Sequence, residues 1–122
     1  MSALAIRRFD FVTIYSRDLE ASKKFYVGLL EFQVLREVRN EFFQIDVAGV
    51  PICVDLNQVE THQNTIGLEV EDLAATESRL RQMGLEVHSG SNVASREDWV
   101  GVKDPDGNEV IFLVRRPRES GA

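Results

Sequence analysis

Twenty acidic side chains, two histidines and one cysteine are the groups in this 122-residue sequence best able to bind a metal or move a proton. Asp55 and Glu69 could pair for general acid–base work, where two carboxylates take different protonation states. Sequence spacing sets no distance between them, so no catalytic residue is assigned. Cys53 has no base near it in the chain and reads as an inert, partly buried thiol. No serine lies in a G-x-S-x-G context, and no glycine-rich phosphate loop is present. His62 stands three residues before Thr65, so strand alternation turns the two to opposite faces unless a bulge intervenes. His88 reads as a surface histidine in a later strand. The remaining distinctive residues are aromatic: Phe11, Tyr15, Phe42 and Trp99, the last being the single tryptophan. Such rings with a few placed polar groups suit a small-molecule pocket.

The frame that must hold these residues is small. A chain of 122 residues fits one compact domain or two half-size modules sharing an interior. The 43% hydrophobic and 28% charged fractions are those of an ordinary globular protein. One cysteine cannot form an internal disulfide, and no apolar run approaches the roughly 20 residues of a membrane span. The expectation is a cytoplasmic protein without membrane contact. A formal charge of -6 repels phosphate backbones and argues against nucleic acid as a partner. Arg115 at the end of the domain, with Arg116 and Arg118 in a tail expected to be flexible over 116–122, forms a local basic exception.

An internal repeat sets the architecture. Asp18-Leu19 in FVTIYSRDLEAS matches Asp72-Leu73 in TIGLEVEDLAAT at an offset of 54, and Ala21-Ser22 matches Ala75-Thr76. Leu30-Glu31-Phe32 echoes Leu85-Glu86-Val87 one residue out of step. Ile66, Leu68 and Val70 alternate with Thr65, Gly67 and Glu69; Val12 and Ile14 alternate with Phe11, Thr13 and Tyr15, a strand period of two. Asp18 and Asp72 sit where helix N-caps belong. Leu19, Phe25, Tyr26, Leu29 and Leu30 then form one helical stripe. Leu73, Leu80 and Met83 form a thinner one, closed by Gly84 at C′. Both stripes are expected on the strand faces carrying Val12, Ile14, Ile66 and Leu68.

Hairpins follow each helix. Ala48-Gly49 is a two-residue connection that opposes Val47 to Val50, Gln44 to Cys53 and Phe42 to Asp55. Phe43, Ile45, Ile52 and Val54 then share an apolar face for the helix to cover. Phe42, Gln44, Asp46, Pro51, Cys53 and Asp55 share a mixed one. In the second half the turn DPDG pairs Gly101 with Ile111, and Trp99 points the same way.

Strand, D-L, helix, F-Y-x-G-L-L-x-F, then hairpins, repeated and ending in D-P-D-G-N, resembles the vicinal oxygen chelate superfamily of glyoxalases, bleomycin-resistance proteins and extradiol dioxygenases. The resemblance covers roughly residues 9 to 114. It implies an α+β fold of two βαβββ modules, about 9–57 and 64–114, in a single domain over 1–115. Their strands would curve into half-barrels around a concave cleft, with helices on the convex side. It also implies a homodimer. Catalytic members hold a divalent metal through a histidine or similar residue in the first strand of each module and a glutamate in the last. The matching positions here are Phe11, Thr65, Asp55 and Ile111, which offer one carboxylate and one hydroxyl. No metal and no other cofactor is therefore expected.

The resulting expectation is a metal-free protein nearest in character to the bleomycin-resistance members, binding or sequestering a small organic molecule. Its pocket would be lined by Phe11, Tyr15, Phe42, Gln44, Asp55, Thr65, Glu69, Trp99 and Ile111, with Gly101 leaving room beside Trp99. A cationic or planar aromatic ligand could stack on Trp99 and pair with a carboxylate. The alternative is a divergent lyase, isomerase or dioxygenase whose metal site lies in another register, with His62 as a ligand. A third is a dimerising module in which Phe11, Phe42, Trp99 and Ile111 merely fill the groove or seal the interface.

Overall fold

A computed structural model describes residues 4–59 and 63–117. His62, Arg118 and the rest of the tail lie outside the described residues. The chain divides into two compact units, Met1–Thr61 and His62–Ala122. The first runs β1 (Val12–Ser16), α1 (Leu19–Lys23, continued by a π-helical stretch Lys24–Leu29), β2 (Gln33–Val38), β3 (Phe42–Val47) and β4 (Val50–Leu56). The second runs β5 (Thr65–Glu69), α2 (Leu73–Gln82), β6 (His88–Asn92), β7 (Glu97–Lys103) and β8 (Glu109–Arg115). The sheets have the same mixed, open topology, β1-β4-β3-β2 and β5-β8-β7-β6. The internal repeat is thus a repeat of structure, and the fold is α+β with two similar modules.

In each module the first strand pairs in parallel with the last, and the other pairs are antiparallel. A parallel pair requires a crossover, which the helix supplies. Asp18 caps α1, accepting hydrogen bonds from the backbone N–H of Glu20 and Ala21 at 3.1 and 3.2 Å. Asp72 caps α2 through the N–H of Ala75 at 2.9 Å. At the end of α2, Gly84 adopts φ +83. Its N–H reaches the Arg81 carbonyl at 3.0 Å while that of Leu85 reaches Leu80 at 3.3 Å, the Schellman arrangement.

The π-helical stretch is a departure from the plain α-helix expected at the sequence level. Leu30 N–H bonds the Phe25 carbonyl, five residues back, at 3.0 Å. The wider turn accompanies burial of two adjacent rings, Phe25 and Tyr26, packed edge to face at 4.9 Å between centroids. Ser16 and Ser22 bury their hydroxyls against each other at 2.6 Å, joining β1 to α1.

The helices lie chiefly over the central strands, α1 over β3 and β4 and α2 over β7 and β8. Val12, expected under a helix, is left exposed on the edge strand. The β3–β4 register is the expected one, Val47 opposite Val50 through Phe42 opposite Asp55. Its turn residues Ala48 and Gly49 both have positive φ, +51 and +89, as the hairpin twist requires. Phe43, Ile45, Ile52 and Val54 are buried on the helix side, each contributing about 1.5–3 kcal/mol by removal from water. Val100, Val102, Val110 and Phe112 do the same in the second module.

The D-P-D-G-N turn is held by its own side chains. Asp104 Oδ1 accepts from the N–H groups of Asp106 and Asn108, both at 2.9 Å. Asn108 is fully buried, donates from Nδ2 to Asp104 Oδ2 at 2.8 Å, and accepts at Oδ1 from Asn64 N–H at 2.8 Å. Since Asn64 leads into β5, the turn before β8 also sets the start of the parallel pair. Replacing Asn108 by Ala removes the bond to Asp104 Oδ2 and leaves the Asn64 N–H without its acceptor, costing about 1–3 kcal/mol. Urea unfolding of Asn108→Ala should show that loss; a variant as stable as the parent would mean the turn does not secure the strand.

Candidate functional site

With a helix on one side of each sheet, the register decides which side chains line the other side. In the first module, two lateral rows cross the open face. One runs Thr13, Cys53, Gln44, Arg36 and the next Tyr15, Asp55, Phe42, Val38. The predicted residues Tyr15, Phe42, Gln44 and Asp55 are therefore neighbours on one surface. Phe11 precedes β1 and is 45% exposed.

Arg36 is a participant that sequence reasoning missed. A bulge between Val34 and Arg36 shifts the β2 register by one residue and brings the guanidinium to the open face. Its Nε donates to Gln44 Oε1 at 2.6 Å, and its Cζ stands 5.0 Å from the centroid of the Phe42 ring. The ring face favours the cation and holds the guanidinium plane. Gln44 is 7% exposed whereas Arg36 is exposed, so the bond runs from a buried amide out to a solvent-facing guanidinium. Cys53 is buried beside it, and burial first, then the Asp55 charge, pushes its thiol up despite the opposing pull of Arg36. A thiol so raised stays protonated near neutral pH and is a poor nucleophile. Burial also raises the Asp55 carboxyl above the usual carboxylate value.

In the second module the open face carries the rows Gly67, Ile111, Gly101, His88 and Glu69, Leu113, Trp99, Gly90, with Thr65, Glu109 and Lys103 completing a third. Gly101 opposes Ile111 as expected. The space above Gly101 is filled, however: a Cβ there would lie 2.7 Å from Ile111 Cδ1 and 2.9 Å from His88 Nε2. Trp99 instead lies over Gly90, where a Cβ would come within 2.4 Å of the ring.

His88 is thus not apart from the predicted site. It shares a row with Ile111, packs edge-on to Trp99 at 5.5 Å, and places Nε2 3.6 Å from Glu109 Oε1. The β6–β7 turn sets this placement, with Arg96 at φ +57, a conformation the residue type does not announce. Glu86, His88, Lys103 and Glu109 line a depression of about 390 Å³. Glu69 is drawn to Arg115, at 3.6 Å, whose other nitrogen meets Glu97 at 3.1 Å. Thr65 and Glu69 lie on the edge strand with Gly67 between them, and Leu113 separates Glu69 from Trp99.

The donor set does not suit a divalent metal at the four positions named above. Phe11 and Ile111 have no donor atom, and Asp55 and Thr65 supply one carboxylate and one hydroxyl from different modules. Asp55 has Tyr15 and Phe42 as row neighbours, not further carboxylates. Beside His88 and Glu109 stands Lys103, a competing cation. Among the described residues no three His, Cys, Asp or Glu side chains gather to hold an ion. What the first face offers is hydrogen bonding from Arg36 and Gln44 next to a carboxyl and two aromatic rings.

The folded state holds the Asp55 proton more tightly than the unfolded chain does, because burial raises its value above 3.8. Asp55 therefore favours folding at low pH, and that contribution is lost as pH rises from about 3.8 through the folded value. The stability of Asp55→Asn relative to the parent should rise across that window and then level off; a difference independent of pH would contradict the assignment. Separately, Gly90→Ala must displace the Trp99 ring and should destabilise by about 1–3 kcal/mol. The emission of the single tryptophan should shift with it, and an unchanged spectrum would place the ring elsewhere.

Comparison with known proteins agrees with the geometry. A family model described as the Glyoxalase/Bleomycin resistance protein/Dioxygenase superfamily matches residues 8–112. No curated protein matches the chain in sequence. Among solved structures, an integron cassette protein from the Halifax Harbour sewage outfall metagenome is similar with a TM-score of 0.76 at 21% identity, covering 89% of this chain and 99% of its own. Lactoylglutathione lyase from Agrobacterium tumefaciens is similar at 0.75 and 15% identity, covering 84% and 90%. The genomically encoded fosfomycin resistance protein FosX from Listeria monocytogenes is similar at 0.72 and 14% identity, covering 88% and 93%. These identities speak to the fold, whereas the family model spans most of the sequence. The chain belongs to the glyoxalase/bleomycin resistance protein/dioxygenase superfamily.

Proposed function

We propose that this protein is a metal-free, small-molecule binding member of the superfamily, acting by reversible capture of an organic ligand on the open sheet faces. The observation that carries the reading is the residue set at the metal positions. Phe11 and Ile111 cannot coordinate, and Asp55 and Thr65 together leave a divalent ion short of donors. In place of a charged metal cradle, the faces present rings and isolated polar groups, the composition of a ligand pocket. Tyr15, Phe42, Gln44 and Asp55 serve in the first module, and Trp99 with Ile111 in the second. Phe11, Thr65 and Glu69 complete the expected lining. The two modules form one domain that works as a homodimer in the cytoplasm, and its partners are its own copy and the ligand. No helix among the described residues is long and apolar enough to cross a membrane.

Two measurements on purified protein test this. Elemental analysis should find no stoichiometric divalent metal, and added divalent cations should confer no lyase, isomerase or dioxygenase activity. A metal bound at one per chain would replace this reading with a metal-dependent enzyme. Titration with a broad panel of organic acids, amines and neutral aromatics should quench or shift Trp99 fluorescence for at least one class. Silence across the panel would favour a dimerising module with no small ligand.

A further inference from the structure

The first module's open face carries a more specific chemistry, and the following rests on the small-molecule reading above. We infer that Arg36 and Gln44 form a carboxylate-binding site, and that the ligand class is a small monoanionic aromatic acid.

Arg36 can only donate hydrogen bonds. Its Nε is committed to Gln44 Oε1, which fixes the orientation of the amide and turns the Gln44 NH₂ the other way. That NH₂ has no protein acceptor among the described residues and is not sealed from solvent, so it stands open to a ligand. The guanidinium likewise forms no ion pair among the described residues, whereas Lys23, Arg81, Arg115 and Arg116 all do. Arg36 also meets the Cys53 thiol, and beyond these contacts the two side chains, held together by a charge-assisted bond, present open donors, one charged and one neutral.

A flat carboxylate accepts from such a pair through its two oxygens, and Arg is the side chain whose fork matches it. The Phe42 ring beneath the guanidinium restrains it before the ligand arrives, so little rotamer freedom is lost on binding. Val38 and Tyr15 extend the next row as apolar and aromatic surface for the ligand's body. Asp55, between Tyr15 and Phe42 in that row, sets the charge limit. A dianion such as a phosphate monoester would crowd a neighbouring carboxylate, while a monoanion carrying a hydroxyl could donate to it.

Benzoate, benzamide and benzylamine, near-equal in shape and different in charge, make the test. In wild-type protein, titration with benzoate should move the Arg36 Nε–Hε and Gln44 side-chain NH₂ resonances among the most. By calorimetry benzoate should bind more tightly than benzamide or benzylamine. Arg36→Met should weaken benzoate by about tenfold or more, the value of a hydrogen-bonded charge. Arg36→Lys, keeping charge but not the fork, should fall between the two. If circular dichroism shows that a variant is misfolded, the wild-type resonance map decides alone. Binding of benzylamine or benzamide without benzoate would overturn the ligand class and leave the small-molecule reading standing. Benzoate binding that spares both resonances, or is unaffected in a folded Arg36→Met, would overturn the site. Failure of all three probes would overturn the class; silence of Trp99 across the broad panel as well would remove the underlying reading.

Discussion

The parallel pairing of the first strand of each module with its last is the constraint on which the structure depends. A parallel neighbour cannot be reached by a tight turn, so a helix must carry the chain across, and its apolar stripe needs one sheet face. Once a helix covers that face, every strand residue is assigned by parity to the core or to the open side. Tyr15 stands beside Asp55, and Gly67 beside Ile111, for this reason alone. A slip of one residue in β4 would turn Asp55 to the core side in place of Val54, burying a carboxylate beside Phe43. That penalty is several times a typical side-chain contact, so the register is strongly specified.

Polar groups enforce the same register where the hydrophobic pattern is silent. Asn108 ties the D-P-D-G-N turn to the residue that opens β5, and Glu109 N–H returns a bond to the Asn64 carbonyl at 2.8 Å. In the first module the Ser16–Ser22 hydroxyl pair links the end of β1 to the helix that follows. The serine pair sits at the crossover, and Asn108 ties a hairpin turn to the strand beside it; each secures one end of a parallel pair.

Legibility from sequence followed the locality of the signal. The β3–β4 hairpin could be placed to the residue, since Ala48-Gly49 is short and the flanking residues alternate cleanly. The caps Asp18, Asp72 and Gly84 were equally local. Three features were not. The bulge beside Leu35 that aims Arg36, the π-helical stretch through Phe25 and Tyr26, and the β6 register that carries His88 each depend on packing between distant segments. Nothing in a run such as QVLREV distinguishes a bulged strand from a regular one. Arg36 and His88 are hidden in the sequence by these non-local choices, while Phe42, Gln44 and Asp55 fall on the expected face.

The same locality governs electrostatics. A net charge of -6 suggests an affinity for cations, yet a face is read by its nearest groups. Solvent screens exposed charges beyond about 8 Å at physiological ionic strength, so acids elsewhere on the surface contribute little at Arg36. Several acids are also occupied: Glu37, Glu77, Glu97 and Asp98 each face a basic partner. Arg36 forms no ion pair among the described residues, and its partner Gln44 is neutral. A neutral acceptor orients a guanidinium without quenching it, which is what a binding group needs and a structural ion pair does not provide. The chain's overall acidity and the sign preferred at this face are therefore independent quantities.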